Sequence, residues 1–170
     1  MCIRDRPYVE ALGRRTRETV DLSVYRGQHA ISVDQYASDQ ELRVVSPVGT
    51  AFPVHCTAHG KALLAKLTDE QVTTLLGNTL ERRTPATLEQ TTALLTQLAE
   101  VRRVGHAVDE EEHACGVCGI GVYLRTGLNE HYALSLAVPS QRFQDNLGAL
   151  HSALLQYNCL LYTSPSPRDS

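Results

Sequence analysis

The stretch Phe52-Pro53-Val54-His55-Cys56-Thr57-Ala58-His59-Gly60-Lys61-Ala62-Leu63-Leu64-Ala65 carries a proline-ended loop into a helix whose first turn holds small and polar side chains. The first backbone N–H groups of a helix lack intrahelical partners and lie at the positive end of its dipole. A carboxylate placed against Thr57, Ala58 and His59 would therefore meet ready donors. Taken alone, His55 and His59 read as helix-start residues hydrogen-bonded to backbone, and only a wider pattern makes them a site.

Outward from this stretch the chain reads as α+β, with its strands split by a helical block. Residues 8 to about 17 predict a helix. Residues 19–25 alternate as a strand, Arg26-Gly27-Gln28 turns, and residues 29–36 alternate again, which makes a hairpin. Residues 41–45 are expected to add a third strand before the loop Ser46-Pro47-Val48-Gly49-Thr50. Beyond the opening stretch, Thr68-Asp69-Glu70-Gln71 and Thr87-Leu88-Glu89-Gln90 each match a capping box, so each is expected to start a helix. The second of these helices aligns Leu88, Leu95, Leu98 and Arg102 in a stripe broadened by Leu94 and Val101. It ends at Gly105 and is expected to cover a sheet face.

Two alternating runs follow, residues 117–124 and 131–138, around a turn at Arg125-Thr126-Gly127-Leu128-Asn129. Ile120, Val122 and Leu124 point one way, while Gly119 and Gly121 lie on the other face; Tyr132, Leu134, Leu136 and Val138 oppose Ala133, Ser135 and Ala137. One face of this hairpin is built of very small residues. A ligand and a closely packed helix suit such a face equally. Ser140 is expected to cap a last helix carrying Phe143, Leu147, Leu150 and Leu154.

The ends are set aside. Met1-Cys2-Ile3-Arg4-Asp5-Arg6 and Leu160-Leu161-Tyr162-Thr163-Ser164-Pro165-Ser166-Pro167-Arg168-Asp169-Ser170 resemble translated sequencing-adapter read-through. Residues 1–6 and 159–170 are accordingly expected to be tails without structure, and residues 7–158 one domain large enough to bury its own core. Charged residues make up 21% of the chain with a formal net charge of −3, and the doublets Arg14-Arg15, Arg82-Arg83 and Arg102-Arg103 lie among acidic neighbours. Without a basic stripe the chain is not expected to bind DNA by itself. No apolar run or signal peptide points to a membrane, so a cytoplasmic location is expected. Of five cysteines, Cys2 and Cys159 fall in or beside the tails, and the odd set Cys56, Cys115 and Cys118 argues against a disulfide framework.

The opening stretch resembles the P-x-H-x-[TS]-A-x-G-K-A-x-L-A segment of the effector-binding domain of IclR-family bacterial transcriptional regulators. A second block, Gly105-His106-Ala107-Val108-Asp109-Glu110-Glu111-Glu112-His113-Ala114-Cys115-Gly116-Val117, resembles that family's G-[YH]-[AS]-x-D-x-E-E-H-x-x-G-[VL] motif, in the expected order. The resemblance implies a GAF/PAS-like curved antiparallel sheet covered by helices, and a ligand-sensing role without enzyme activity, cofactor or metal. It also implies a homodimer or homotetramer that contacts operator DNA only through an N-terminal winged helix-turn-helix, which this chain lacks. The implied effector is a small organic acid, a small carboxylate or aromatic hydroxy acid, and the implied contacts are Phe52, Ala58, His59, Asp109, Val117, Gly119, Ser135 and Ala137. The chain departs from the family where a strand cysteine often stands at Gly119 and a second serine at Ala137, implying a roomier and less polar pocket. A buried Asp109 beside an anionic ligand would have its pKa raised or would accept a ligand hydroxyl, which favours a hydroxylated acid.

Cysteine chemistry supplies the competing readings. His113-Ala114-Cys115-Gly116-Val117-Cys118 has the look of half a zinc or redox site based on Cys115 and Cys118, but a second ligand pair is missing. Cys56 between His55 and His59 suggests a nucleophile at a helix start, yet no oxyanion-hole glycine loop or matching acid motif accompanies it.

Overall fold

Alternating β-branched, leucine and tyrosine residues predispose residues 19–36 and 117–139 to strands, and each segment folds as the antiparallel hairpin its pattern predicts. The computed structural model describes residues 6–124 and 129–163, with side chains described to residue 158. The elements run α1 (Arg6–Thr16), β1 (Thr19–Arg26), β2 (His29–Tyr36), β3 (Ala51–Pro53), α2 (Ala58–Leu64), α3 (Asp69–Leu76), α4 (Thr91–Val104), β4 (Ala107–Glu110), β5 (Val117–Leu124), β6 (Tyr132–Pro139) and α5 (Ser140–Thr163). The strands form one curled antiparallel sheet in the order β3-β2-β1-β6-β5-β4. The expected turn at 125–129 falls, apart from Asn129, outside the described residues.

Strand periodicity divides the core in two. Val20, Leu22 and Val24 of β1, Ile120, Val122 and Leu124 of β5, and Leu134, Leu136 and Val138 of β6 share one face with α1 and α5, which add Val9, Leu12, Phe143, Leu150 and Leu154. Ala30, Ala107 and Ala133 lie in the cluster on the other face, with Val54, Ala62 and Leu64 around α2 and Leu94, Leu98 and Val101 of α4. The small residues let α2 approach closely. A Cβ on Gly121 would lie 3.0 Å from the carbonyl carbon of Ala58, and one on Gly60 would lie 2.5 Å from Val54 Cα, so neither site admits alanine without backbone movement.

Five sequence expectations change. Residues 41–45 form no strand; β2 instead pairs with Ala51–Pro53, and the chain between β2 and β3 swings out as a loop with Leu42 and Val45 exposed. The Thr68 capping box is present, with Thr68 Oγ1 accepting from Gln71 N and Gln71 Oε1 from Thr68 N. The Thr87 box is not, because Thr87 Oγ1 already accepts from Thr84 N at 2.9 Å and donates to Glu112 O at 2.6 Å. Gln90 bridges to Thr79, so α4 begins only at Thr91. That helix packs mainly on α2 and α3 as an outer layer and not on the sheet, although Gly105 ends it in the left-handed conformation as expected. Ser140 is the first residue of α5, with its hydroxyl 3.4 Å from Cys118 Sγ. Arg6 and residues 159–163, set aside as tails, belong to α1 and α5; Arg6 Nη1 donates to Asp34 Oδ1 and Gln35 O, both at 2.7 Å. The remaining tail residues lie outside the described ones.

Because the capping box at α3 closes two orphan N–H groups on an exposed surface, Thr68→Ala should cost about 1 kcal/mol. It should appear as a lower denaturant midpoint at unchanged m-value.

Candidate functional site

A closely packed helix and an open space lie side by side over the small-residue face. Over Gly121 the peptide joining Ala58 and His59 packs against the strand. Alongside it lies a cavity of about 270 Å³, walled by Gly119, Ser135 and Ala137 of the sheet and by Ala58 and His59 of α2. Phe52, Asp109 and Val117 complete the set of eight residues singled out from sequence, and all eight line this one cavity. Asp21 of β1, residues 44–46 of the loop between β2 and β3, and His113 also line it.

Phe52 stands between two imidazoles, edge-to-face with His59 at 4.9 Å and with His113 at 5.5 Å between ring centroids. His59 is 8% exposed, its Nδ1 lies 3.3 Å from Ser135 Oγ, and its Nε2 has no partner among the described residues. Burial, with a smaller contribution from His113, lowers its pKa to about 3, so the ring is neutral. Asp109 Oδ1 accepts from Glu112 N at 2.7 Å, which folds the acidic block back on itself; burial of the carboxyl raises its pKa to about 7. Burial also raises the pKa of Asp21, against hydrogen bonds from Gln35 and Ser32 that lower it.

Among the described residues, no lysine or arginine lines the cavity. The nearby cation, Lys61, is fully buried and its Nζ donates to Glu112 at 2.8 and 3.0 Å and to Val108 O. Glu112 is therefore the buried partner that locks α2 to the segment after β4. His55, by contrast, bonds Glu81 O at 2.8 Å through Nε2, the backbone contact expected of it. The helix-start donors carry less than the sequence suggested: α2 has seven residues, about two turns, and its Ala58–His59 peptide faces Gly121.

Sequence reasoning missed Asp21, Lys61 and His113. A lone acid among Val20, Leu22 and Val24, on the face that pairs with Ser135, was the available signal for Asp21. The other two lay inside the quoted motifs without an assigned role.

The cysteines show no activated geometry. Cys56 is fully buried and burial pushes its pKa up to about 12, opposite to a reactive thiolate. Cys115 is exposed while Cys118 is buried against Ser140, and no group of three or more potential metal ligands occurs among the described residues.

Residues 2–157 match the family model described as bacterial transcriptional regulator IclR C-terminal. The HTH-type transcriptional regulator Rv1719 of Mycobacterium tuberculosis is 42% identical over 151 residues, covering 89% of this chain and 58% of that protein. TtgV of Pseudomonas putida, also an HTH-type transcriptional regulator, is 40% identical with the same coverage. This chain thus spans little more than half the length of either relative. The inducer binding domain of the PobR transcription factor from Acinetobacter, solved as a double mutant in complex with 3-hydroxybenzoic acid, superposes with a TM-score of 0.82 at 26% identity. The match covers 94% of this chain and 95% of that one. These are regulators, not enzymes. The curled sheet, the tight entry to α2 and the match over nearly the whole chain place this protein in the IclR family of bacterial transcriptional regulators, as a C-terminal effector-binding domain.

Proposed function

We propose that the cavity between α2 and the sheet binds a small aromatic hydroxy acid or related hydroxylated carboxylate. In the full-length cytoplasmic regulator, a dimer or tetramer, its occupancy would set how an N-terminal winged helix-turn-helix meets operator DNA. The observation that carries this reading is His59, almost fully buried on the cavity wall with Nε2 lacking a partner among the described residues, since buried polar atoms are normally satisfied. The size agrees. A void of about 150 Å³ accommodates a benzene ring, so about 270 Å³ leaves room for one ring and its substituents. Phe52 offers that ring an aromatic neighbour, and the complex of the PobR domain with 3-hydroxybenzoic acid supplies a ligand of the same class in a related fold. The effector can shift DNA affinity only by its differential affinity for the DNA-competent and incompetent states. A thermal-shift screen of hydroxybenzoates and aliphatic hydroxy acids tests the reading, because a ligand bound only to the native state raises apparent stability. The expected result is stabilisation by at least one hydroxybenzoate, and a uniformly flat screen would sink the proposal.

Charge sets a second test. With a pKa of about 7, Asp109 is ionised above neutrality, and a bound carboxylate would raise that value further by repulsion. Binding of an anion therefore takes up a proton above pH 7 and none well below it. The sign follows: affinity for a hydroxybenzoate should be highest below pH 7 and fall toward about tenfold per pH unit above it. His59 stays neutral throughout that range and contributes no slope. Titration calorimetry from pH 5.5 to 8.5 checks this, and pH-independent affinity would show that Asp109 does not share the cavity with the ligand's charge.

A further inference from the structure

Asp21 is 5% exposed and belongs to neither quoted motif. It sits on β1 directly opposite Ser135 of β6, on the face that lines the cavity. Its two oxygens are unequal. Oδ1 accepts from Gln35 Nε2 at 2.9 Å and from Ser32 Oγ at 3.2 Å, whereas Oδ2 accepts no hydrogen bond among the described residues. The cavity is the space this otherwise buried residue adjoins. A carboxylate removed from bulk water needs hydrogen-bond donors on both oxygens. The described residues supply none for the second: no lysine or arginine among them lines the cavity, and Lys61 is committed to Glu112.

We propose that Asp21 Oδ2 accepts a hydrogen bond from a hydroxyl group of the effector, so that Asp21 determines specificity by selecting hydroxylated aromatic compounds over their unhydroxylated parents. This rests on the reading of the cavity as the effector site and adds to it the group that reads the hydroxyl. Ser32 and Gln35 hold Oδ1 and so fix the carboxyl plane, leaving Oδ2 to the ligand. Ser135, next to Asp21 across the β1–β6 pair, is already turned to His59 and completes a polar end to the cavity. Burial, which raises the pKa of Asp21, also makes an occupied cavity without a donor unfavourable while the carboxylate is ionised. Selection therefore comes as much from rejecting the wrong ligand as from holding the right one.

The experiment compares wild type with Asp21→Asn by titration calorimetry at pH 8. The probes are 3- and 4-hydroxybenzoate against benzoate, and 3- and 4-hydroxybenzamide against benzamide, with benzylamine as a cationic control. Asparagine keeps an oxygen for Ser32 and Gln35 but places a donor where Oδ2 was, so it cannot accept the ligand hydroxyl. In wild type at least one hydroxylated member should bind about ten- to a hundredfold tighter than its parent, and in Asp21→Asn that ratio should fall below about threefold. Unliganded melting curves confirm that the variant is folded. A hydroxyl preference that survives in Asp21→Asn overturns the assignment and leaves the effector site standing. So does wild-type binding of parents and hydroxylated compounds with equal affinity, or benzylamine binding tighter than every hydroxylated probe. Absence of binding by all seven compounds overturns both this assignment and the effector reading.

Discussion

Lys61→Met should destabilise the domain by about 3–5 kcal/mol, a fall in melting temperature of roughly 6–20 °C for a chain of this size. Lys61 is fully buried, and its ammonium is the partner of a Glu112 side chain that is itself only 9% exposed. Methionine matches the length and leaves Glu112 as a buried charge with no counter-ion, which costs more than the lost pair was worth. The loss should reach the cavity as well. Asp109 Oδ1, Thr84 Oγ1 and Thr87 Oγ1 all bond the backbone of residues 111 and 112, and this same segment places His113 on the cavity wall beside Phe52. The discriminating measurement is a double-mutant cycle by denaturant melts. Lys61→Met combined with Glu112→Leu should recover at least half of the loss, since a buried ion pair is often replaceable by apolar groups of like volume. Additive losses would show that Lys61 acts through packing alone.

Where sequence reading succeeded and failed follows from which forces each pattern records. Strand alternation is a local signal, and it placed Ile120, Val122 and Leu124 on one face and Gly119 and Gly121 on the other, as found. The loop-to-helix stretch and the acidic block led to eight residues that the fold gathers around one cavity. Competition for a hydroxyl is not local. Thr87 has the sequence of a capping box, but its oxygen is claimed by Thr84 N and by Glu112 O, twenty-five residues away, so the helix starts later. Edge pairing is not local either. Residues 41–45 carry strand-like composition, yet the edge of β2 is taken by the three residues of β3 just ahead of α2, and the intervening loop brings residues 44–46 to the cavity wall. Asp21 and Lys61 escaped for a related reason. An isolated charge in an apolar run signals that something must compensate it, but the compensating groups, Gln35 and Ser32 for one and Glu112 for the other, are set by tertiary structure.

Ala58→Leu should abolish effector binding, lowering affinity by about a hundredfold or more, while leaving the unliganded domain as stable as wild type or slightly more so. Ala58 is 3% exposed, and its Cβ would lie 3.4 Å from a Cβ on Gly119, so its methyl points toward the strand that floors the cavity. Ala58 also lines the cavity, so about 270 Å³ of empty space lies beside that strand contact to take up an isobutyl group. Filling a void commonly stabilises by about 0.5–2 kcal/mol, whereas adding volume to a packed core costs about 1–3 kcal/mol. Ala133→Leu provides the contrast: Ala133 lies two residues before Ser135 on the same face of β6, is fully buried, and belongs to the cluster with Leu94 and Leu98 and not to the cavity. That variant should lose stability and keep its affinity for ligand, measured below its melting temperature. The opposite signs of the two substitutions separate a space that the fold leaves open from one that it fills. If Ala58→Leu retains the wild-type thermal shift with the hydroxybenzoate that stabilises the protein most, the ligand does not pack against the Ala58 wall of the cavity and its placement there is wrong.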